Sequence, residues 1–581
     1  MDPTNRRQTL LWLVPLLAVY FAFHLGARAL WSPVEGRYAE VAREMVVSGD
    51  YVTPRLNGVK YFEKPPLFYW LEALSIKLFG LREWSLRLWP ALFAVLGCLA
   101  VYGTGWQLFG ARAGLLAAGV LATSPLYYAL GRVVAVDMTF AYFLSAGLLV
   151  FLTAVRRPPG RERRMRMWVF YTAAALATLT KGLLGIVLPV LVIGSWIAVS
   201  GQWRILKQVH LLSGIALFAL IAAPWHIIVA ARNPDFANFY FIHEHFGRYL
   251  TAEEGGLAQA WIYIPVLLVG MFPWIVFAPQ SFRDSLDFIR RRRRDHQDEL
   301  FLSLWAIMMF LFFSSAGSRL FTYVLPIFPA VALIVGRIFS QWWEELSRPG
   351  RYCVWIAAAA MLLIVAAGLS APQHGLERYS NWPSLGPPRD DTTVPLVEGG
   401  RGTDVQALRP YLYREAAILI VGAAALLVFA RRRDARGVFI ALAATTALFL
   451  TVVDSGFPLL DDRRSVKKLA LSLKPQLAAG DEVAAYHSYY QDLPVYLERL
   501  VTVVSWSGEL EFGVRVEDAS AWMIDDAEFR RRWAAGRPIY VFMPRVNYAR
   551  LGAELSQPVY LVNGNDYTVV VSNSRASGAT H

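Results

Sequence analysis

Long apolar runs recur along this chain, among them Leu10 to Phe23 and Val438 to Val453, and they limit its fold more than any other feature. Runs of this kind suit helices crossing the ~30 Å hydrocarbon core of a bilayer, where each backbone N–H and C=O must be satisfied within its own segment. Of the 581 residues, 56% are apolar and 17% charged, with a mean hydropathy of +0.38. A single soluble core stops growing at roughly 250–300 residues, so the excess marks a polytopic membrane protein. The net charge of +13 would suggest nucleic acid in a soluble chain. Here the charge sits between apolar runs and reports orientation instead.

Three basic clusters stand out: Arg156, Arg157, Arg161, Arg163, Arg164 and Arg166; Arg283 with Arg290 to Arg294; and Arg431, Arg432, Arg433 and Arg436. Placing them in the cytoplasm with Arg6 and Arg7 follows the excess of Lys and Arg in inner loops. About thirteen spans result, some short enough to be tilted or partly interfacial. They lie near 9–28, 85–106, 113–130, 137–155, 167–180, 182–200, 210–230, 259–279, 300–316, 320–338, 352–371, 413–430 and 437–453. Segments 29–84, 131–136, 231–258 and 372–412 then face outward, as does the tail. The first run has no small-x-small cleavage site and reads as a retained helix. Cys98 and Cys353 lie inside apolar stretches and read as small buried hydrophobes.

The composition changes after Val453. Residues 454–581 carry β-rich runs at Glu482–Tyr486, Val501–Val504, Ile539–Met543 and Tyr567–Val571, with helical stretches at Val466–Ala478 and Asp526–Ala535. The alternation predicts a small α/β domain of roughly 125 residues, outside the membrane. The expected division is a membrane region at 1–453 and this domain at 454–581.

Ionisable residues at span boundaries are costly and are the first candidates for chemistry. The first outer loop holds Glu35-Gly-Arg37-Tyr38-Ala-Glu40-Val-Ala-Arg43-Glu44-Met45, a helical pattern after Pro33 with Tyr38, Val41, Ala42 and Met45 on one face. An amphipathic interfacial helix with solvated charges would look the same. Further on, Tyr61-Phe-Glu63-Lys64-Pro65-Pro66-Leu67 puts an acid and a base in a rigid turn at the membrane surface, and lysine there suits a lipid phosphate. Asp137 opens the fourth span and is a candidate for chemistry, the lesser reading being a helix cap. Lys181 interrupts two apolar runs at an outward hairpin, where it could be a snorkelling turn residue. His243 and His245 are spaced i, i+2, a weak metal signal taken locally, since a helical zinc pair prefers i, i+4. Ser318-Arg319 and Tyr323 mark another outward hairpin. Carboxylates and cations gathered at one face suggest a site for an anionic, lipid-linked substrate.

These motifs resemble the bacterial GT-C glycosyltransferases that use polyprenyl-phosphate sugars, above all the aminoarabinose lipid A transferase type. The dolichyl-phosphate-mannose protein mannosyltransferases belong to the same superfamily. The residues that carry the likeness are Glu35–Met45, Phe62–Leu67, Asp137, Thr180-Lys181-Gly182, Glu244-His245 and Ser318-Arg319 with Tyr323 to Pro326. The resemblance implies an α-helical polytopic GT-C fold with a C-terminal periplasmic α/β domain, in the bacterial inner membrane. It implies inverting transfer of a sugar, 4-amino-4-deoxy-L-arabinose in the nearest type, from undecaprenyl phosphate to lipid A or another envelope acceptor at the periplasmic face. Glu35 and Asp137 would be catalytic. Arg37, Tyr38, Tyr61, Lys64, Lys181, Arg319 and Tyr323 would bind the lipid-phosphate donor. A divalent metal ion, if one binds, would fall to Glu63 and His245. The protein would act as a monomer, without nucleic acid.

Two departures matter. Val34 stands where the family usually has an acid, and Arg319 where Lys is common. An acceptor hydroxyl benefits from a positioned base, whereas a phosphate is already ionised, its second pKa being about 6. Loss of one acid therefore favours a phosphate acceptor. The competing readings are a protein or lipopolysaccharide-core glycosyltransferase of the same fold, a lipid flippase, and a binding-only relative. A flippase would show paired repeats and ionisable groups near the bilayer midplane.

Overall fold

The computed structural model describes residues 3–247, 259–280, 297–370 and 403–575. Among these, eight helices are long and apolar enough to cross a bilayer, and a bent pair makes a ninth span. Every predicted span meets helix, including Pro3–Ala22, Arg161–Lys181 and Leu184–Ser200. Two come out broken, both at proline. The segment 113–130 divides into Ala111–Ala122 and Pro125–Leu130. Pro125 has no N–H to continue the ladder and starts a new helix instead. At 1.5 Å per residue the first piece reaches only ~18 Å, short of a full crossing. The segment 259–279 becomes Tyr263–Gly270 and Trp274–Gln280, bent by 112° across the break that holds Pro273.

The chain forms two compact units. One takes the residues up to Leu25, those from Arg87 on through the helices, and Arg409–Ser455. The other joins Gly26–Leu86 to the segment from Gly456 on, so the first outer loop groups with the C-terminal region. A boundary at residue 453 alone does not describe this. The first loop and the tail are joined by hydrogen bonds between residues more than 400 apart, which local pattern cannot announce.

The second unit holds a two-stranded antiparallel hairpin, β1 (Arg55–Leu56) with β2 (Val59–Lys60), and a six-stranded sheet. The sheet strands are β3 (Glu482–Tyr486), β4 (Thr502–Val504), β5 (Met523–Ile524), β6 (Ile539–Pro544), β7 (Tyr560–Gly564) and β8 (Thr568–Ser572). Their order is β5-β4-β3-β6-β8-β7, with β3 to β6 parallel and β8 antiparallel to both β6 and β7. The four predicted strands appear. Two escaped the pattern: β5 has two residues, too few to show a period, and β7 is an exposed edge ending in Asn563 and Gly564 with an irregular register. The helix Asp526–Ala534 starts on Asp525, whose carboxylate accepts from Glu528 N at 2.8 Å. It buries Phe529 and Trp533 against Ala484, Val541 and Val571.

Candidate functional site

In the helical unit, the fourth span begins as the helix Val136–Val155, with Asp137 in its first turn. The helix Arg161–Lys181 ends where Gly182 takes a positive φ of 69°, which leaves Lys181 at its tip. Lys181 Nζ lies 2.6 Å from Asp137 Oδ1, with the two side chains 8% and 14% exposed. The ammonium also sits 4.5 Å from the centre of the Tyr323 ring and 5.6 Å from that of Phe140. Lys181 is thus paired rather than snorkelling in solvent. Asp137 forms no cap to its own helix and spends its charge on the lysine. Arg319 donates from Nε to Ser314 O at 3.2 Å, closing the turn ahead of Tyr323.

The short loop that leads into the helix of Asp137 has a buried anchor. Arg132, 4% exposed, donates to Asp454 through Nε at 3.2 Å and Nη2 at 2.9 Å. It also donates to Phe21 O at 2.8 Å and to Phe23 O, and lies over the Tyr128 ring. One guanidinium therefore ties together the end of the first helix, the 131–136 loop and the end of the helix Ala435–Gly456.

In the second unit, the motif around Glu35 forms the helix Val34–Ser48, and it is buried on both faces. Its charges are matched internally rather than solvated, contrary to an amphipathic surface helix. Arg43 grips both oxygens of Glu40, at 2.7 and 2.6 Å. Glu44 accepts from Gly58 N at 3.1 Å, and burial pushes its carboxyl well above the usual carboxylate range. Burial also raises Glu40, offset by Arg43.

Glu35, expected to be catalytic with Asp137, is enclosed. Its side chain is 1% exposed, both of its oxygens bond Arg28, and Oε2 also accepts from Trp31 N at 3.1 Å. A carboxylate so enclosed positions the loop ahead of the helix; it does not stand open as a base. Gly36 follows for a steric reason: a Cβ there would meet Asp492 N at 2.4 Å and the Gln491 carbonyl carbon at 2.6 Å. Gly36→Ala should therefore cost about 1–3 kcal/mol of stability. Thermal unfolding of the purified protein would read it, and an unchanged Tm would refute the close approach.

Arg37 stands at the centre of the remaining predicted residues. Its Nη1 lies 2.6 Å from Glu509 Oε2 and 3.9 Å from Glu63 Oε2, and its guanidinium lies over the Tyr38 ring at 5.4 Å. Tyr38 packs edge-on against Phe68. Tyr61 is 2% exposed, and burial raises its hydroxyl well above the ordinary value. Lys64 Nζ donates to Glu63 O at 2.7 Å. The predicted residues thus fall into two groups: Arg37, Tyr38, Tyr61, Glu63 and Lys64, and separately Asp137, Lys181 and Tyr323.

For a metal, the described residues offer Glu63 beside a guanidinium, and no group of three or more His, Cys, Asp or Glu side chains able to hold an ion. The side chain of His245 lies outside the described residues, as does Arg248. The expected pair of Glu63 and His245 therefore lies only partly within the described residues.

Sequence reasoning missed several partners: Glu509 for Arg37, Arg28 for Glu35, and two carboxylates that staple the loop. Asp461 accepts from Ala29 N at 2.9 Å and from Trp31 Nε1 at 2.8 Å. Asp492, fully buried, accepts from Ser32 Oγ at 2.5 Å, Ser465 Oγ at 2.6 Å and Val466 N at 2.9 Å. Most of these lie hundreds of positions from their partners, so no local spacing marks them.

Two family models match the chain: dolichyl-phosphate-mannose-protein mannosyltransferase over residues 63–228, and the aminoarabinose transferase C-terminal domain over residues 469–573. An undecaprenyl phosphate-alpha-4-amino-4-deoxy-L-arabinose arabinosyl transferase from Aeromonas hydrophila is 33% identical over 372 residues, 63% of this chain and 67% of that protein. The chain belongs to the aminoarabinose transferase family. A member from Pectobacterium carotovorum is 29% identical over 89% of this chain and 88% of its own length. The crystal structure of ArnT from Cupriavidus metallidurans bound to undecaprenyl phosphate superposes with a TM-score of 0.84 at 28% identity, covering 99% of each chain. An archaeal oligosaccharyltransferase, AglB from Archaeoglobus fulgidus, reaches 0.51 at 13% identity, which speaks for the GT-C fold alone. As an aminoarabinose transferase family member, the chain is a multi-pass membrane glycosyltransferase whose sugar donor is carried on a lipid phosphate. The flippase reading falls with that assignment.

Proposed function

We propose that this chain moves 4-amino-4-deoxy-L-arabinose, with inversion, from undecaprenyl phosphate to lipid A at the periplasmic face of the bacterial inner membrane. The observation that carries the reading is the full-length likeness to the arabinosyl transferase structure bound to undecaprenyl phosphate. The arginine clusters in the loops assigned to the cytoplasm support the orientation.

In this reading an acceptor phosphate oxygen attacks the anomeric carbon of the sugar. The bond to the lipid phosphate oxygen breaks, and undecaprenyl phosphate leaves with the electron pair. The leaving group needs charge stabilisation more than a proton, which suits Arg37 and Lys64. Asp137, held through Oδ1 by Lys181, is the carboxylate that orients the acceptor or takes its proton. An acceptor phosphate, whose second pKa is about 6, can be served by one carboxylate, consistent with Val34 replacing the usual acid and with Glu35 being engaged by Arg28.

Purified protein given undecaprenyl-phosphate aminoarabinose and lipid A should yield lipid A heavier by one aminoarabinose residue on mass spectrometry. Transfer only to a peptide or a core sugar would replace this acceptor with another. Lys64→Ala should raise the half-saturating donor concentration by about tenfold, and an unchanged donor dependence would remove Lys64 from the phosphate.

A further inference from the structure

We propose that Glu509, in the C-terminal α/β segment, is a positioning residue for the donor phosphate: it holds one side of the Arg37 guanidinium and so aims the other at the lipid phosphate. The inference rests on the reading that Arg37 binds that phosphate. Glu509 lies in the short turn Gly508–Leu510 after β4, with its side chain 1% exposed. Its Oε2 accepts from Arg37 Nη1 at 2.6 Å and its Oε1 from Gln491 Nε2 at 2.7 Å, so the carboxylate is fixed from both sides.

A guanidinium is a planar fork of five donors that binds two-oxygen acceptors edge-on. Both acids near Arg37, Glu509 and Glu63, approach Nη1. Its Nε is buried and has no hydrogen-bond partner among the described residues. A buried donor left unmatched is unfavourable, and two phosphate oxygens on the Nε–Nη2 edge would satisfy it with charge-assisted bonds. The guanidinium therefore has an acidic edge that orients it and a second edge suited to an anion. The alternative is an ion pair that only stabilises the fold.

Donor kinetics separate the two. Glu509→Ala should raise the half-saturating concentration of undecaprenyl-phosphate sugar by about tenfold with kcat within about threefold of wild type. Inhibition by undecaprenyl phosphate itself should weaken in step. Glu509→Gln keeps an acceptor for Nη1 and should return the donor dependence to within about threefold. Arg37→Ala tests the parent reading: if it leaves donor dependence unchanged, Arg37 does not hold the phosphate, whatever Glu509 does. If Arg37→Ala raises it, the double variant Arg37→Ala/Glu509→Ala should be no worse than Arg37→Ala alone. The inference is overturned if Arg37→Ala raises the donor requirement while Glu509→Ala does not, or if the two losses add. Should Glu509→Ala fail to fold, Gln491→Ala keeps the ion pair but removes the hydrogen bond to Oε1, and must itself raise the donor requirement.

Discussion

Turnover of Asp137→Asn should fall by about 10²–10⁴-fold while the protein still folds, the range expected when a positioned acid–base group is lost. Asparagine keeps the shape of the side chain and an oxygen for Lys181 Nζ, now 2.6 Å from Oδ1. Only the charge and the proton affinity change. Lys181, 8% exposed, loses its counter-ion, but it keeps the rings of Tyr323 and Phe140. Some stability is lost with the pair, and that loss must be separated from catalysis. The double variant Asp137→Asn/Lys181→Met leaves no unmatched charge, so its Tm should recover while its turnover stays low. Full activity in the single variant, or a return of activity in the double, would leave Asp137 a structural residue.

Arg132→Met should destabilise the folded protein by about 3–5 kcal/mol, the usual cost of stripping one partner from a buried ion pair. Methionine retains the apolar stem but leaves Asp454 without its cation and the carbonyls of Phe21 and Phe23 without their shared donor. Neutralising both partners, Arg132→Met/Asp454→Leu, should recover most of the loss, because well-packed apolar groups often replace such pairs at little cost. Unfolding in detergent reads both. A change under about 1 kcal/mol in the single variant would show that the pair is open to water. Since Arg132 anchors the loop that leads into the helix of Asp137, turnover of folded Arg132→Met should drop as well, through displaced geometry rather than lost chemistry.

The helices were legible because their signal is local. A spanning segment must bury its own backbone polar groups, so the run from Val438 to Val453 announces the helix Ala435–Gly456 without help from any neighbour. The strands Glu482–Tyr486 and Ile539–Pro544 showed for the same reason, as short β-rich runs. The motif residues were legible as chemistry, too: acids and bases at span boundaries have few other reasons to be there. Their roles were less so. Glu35 reads as a free carboxylate until Arg28 closes on it, and the helix Val34–Ser48 reads as a surface helix until its second face is seen to be buried.

Apolar runs and basic clusters, all written within a few turns of chain, were enough to specify a polytopic helical membrane protein, and the motifs with their family resemblance nominated Arg37, Lys64 and Asp137 for testing. Which partner each charge meets was decided only by folding. Arg37 meets Glu509, Ser32 meets Asp492 and Arg132 meets Asp454, across separations of 472, 460 and 322 residues. An ion pair is a property of distance in space, and Coulomb energy depends on ångströms that sequence spacing does not encode.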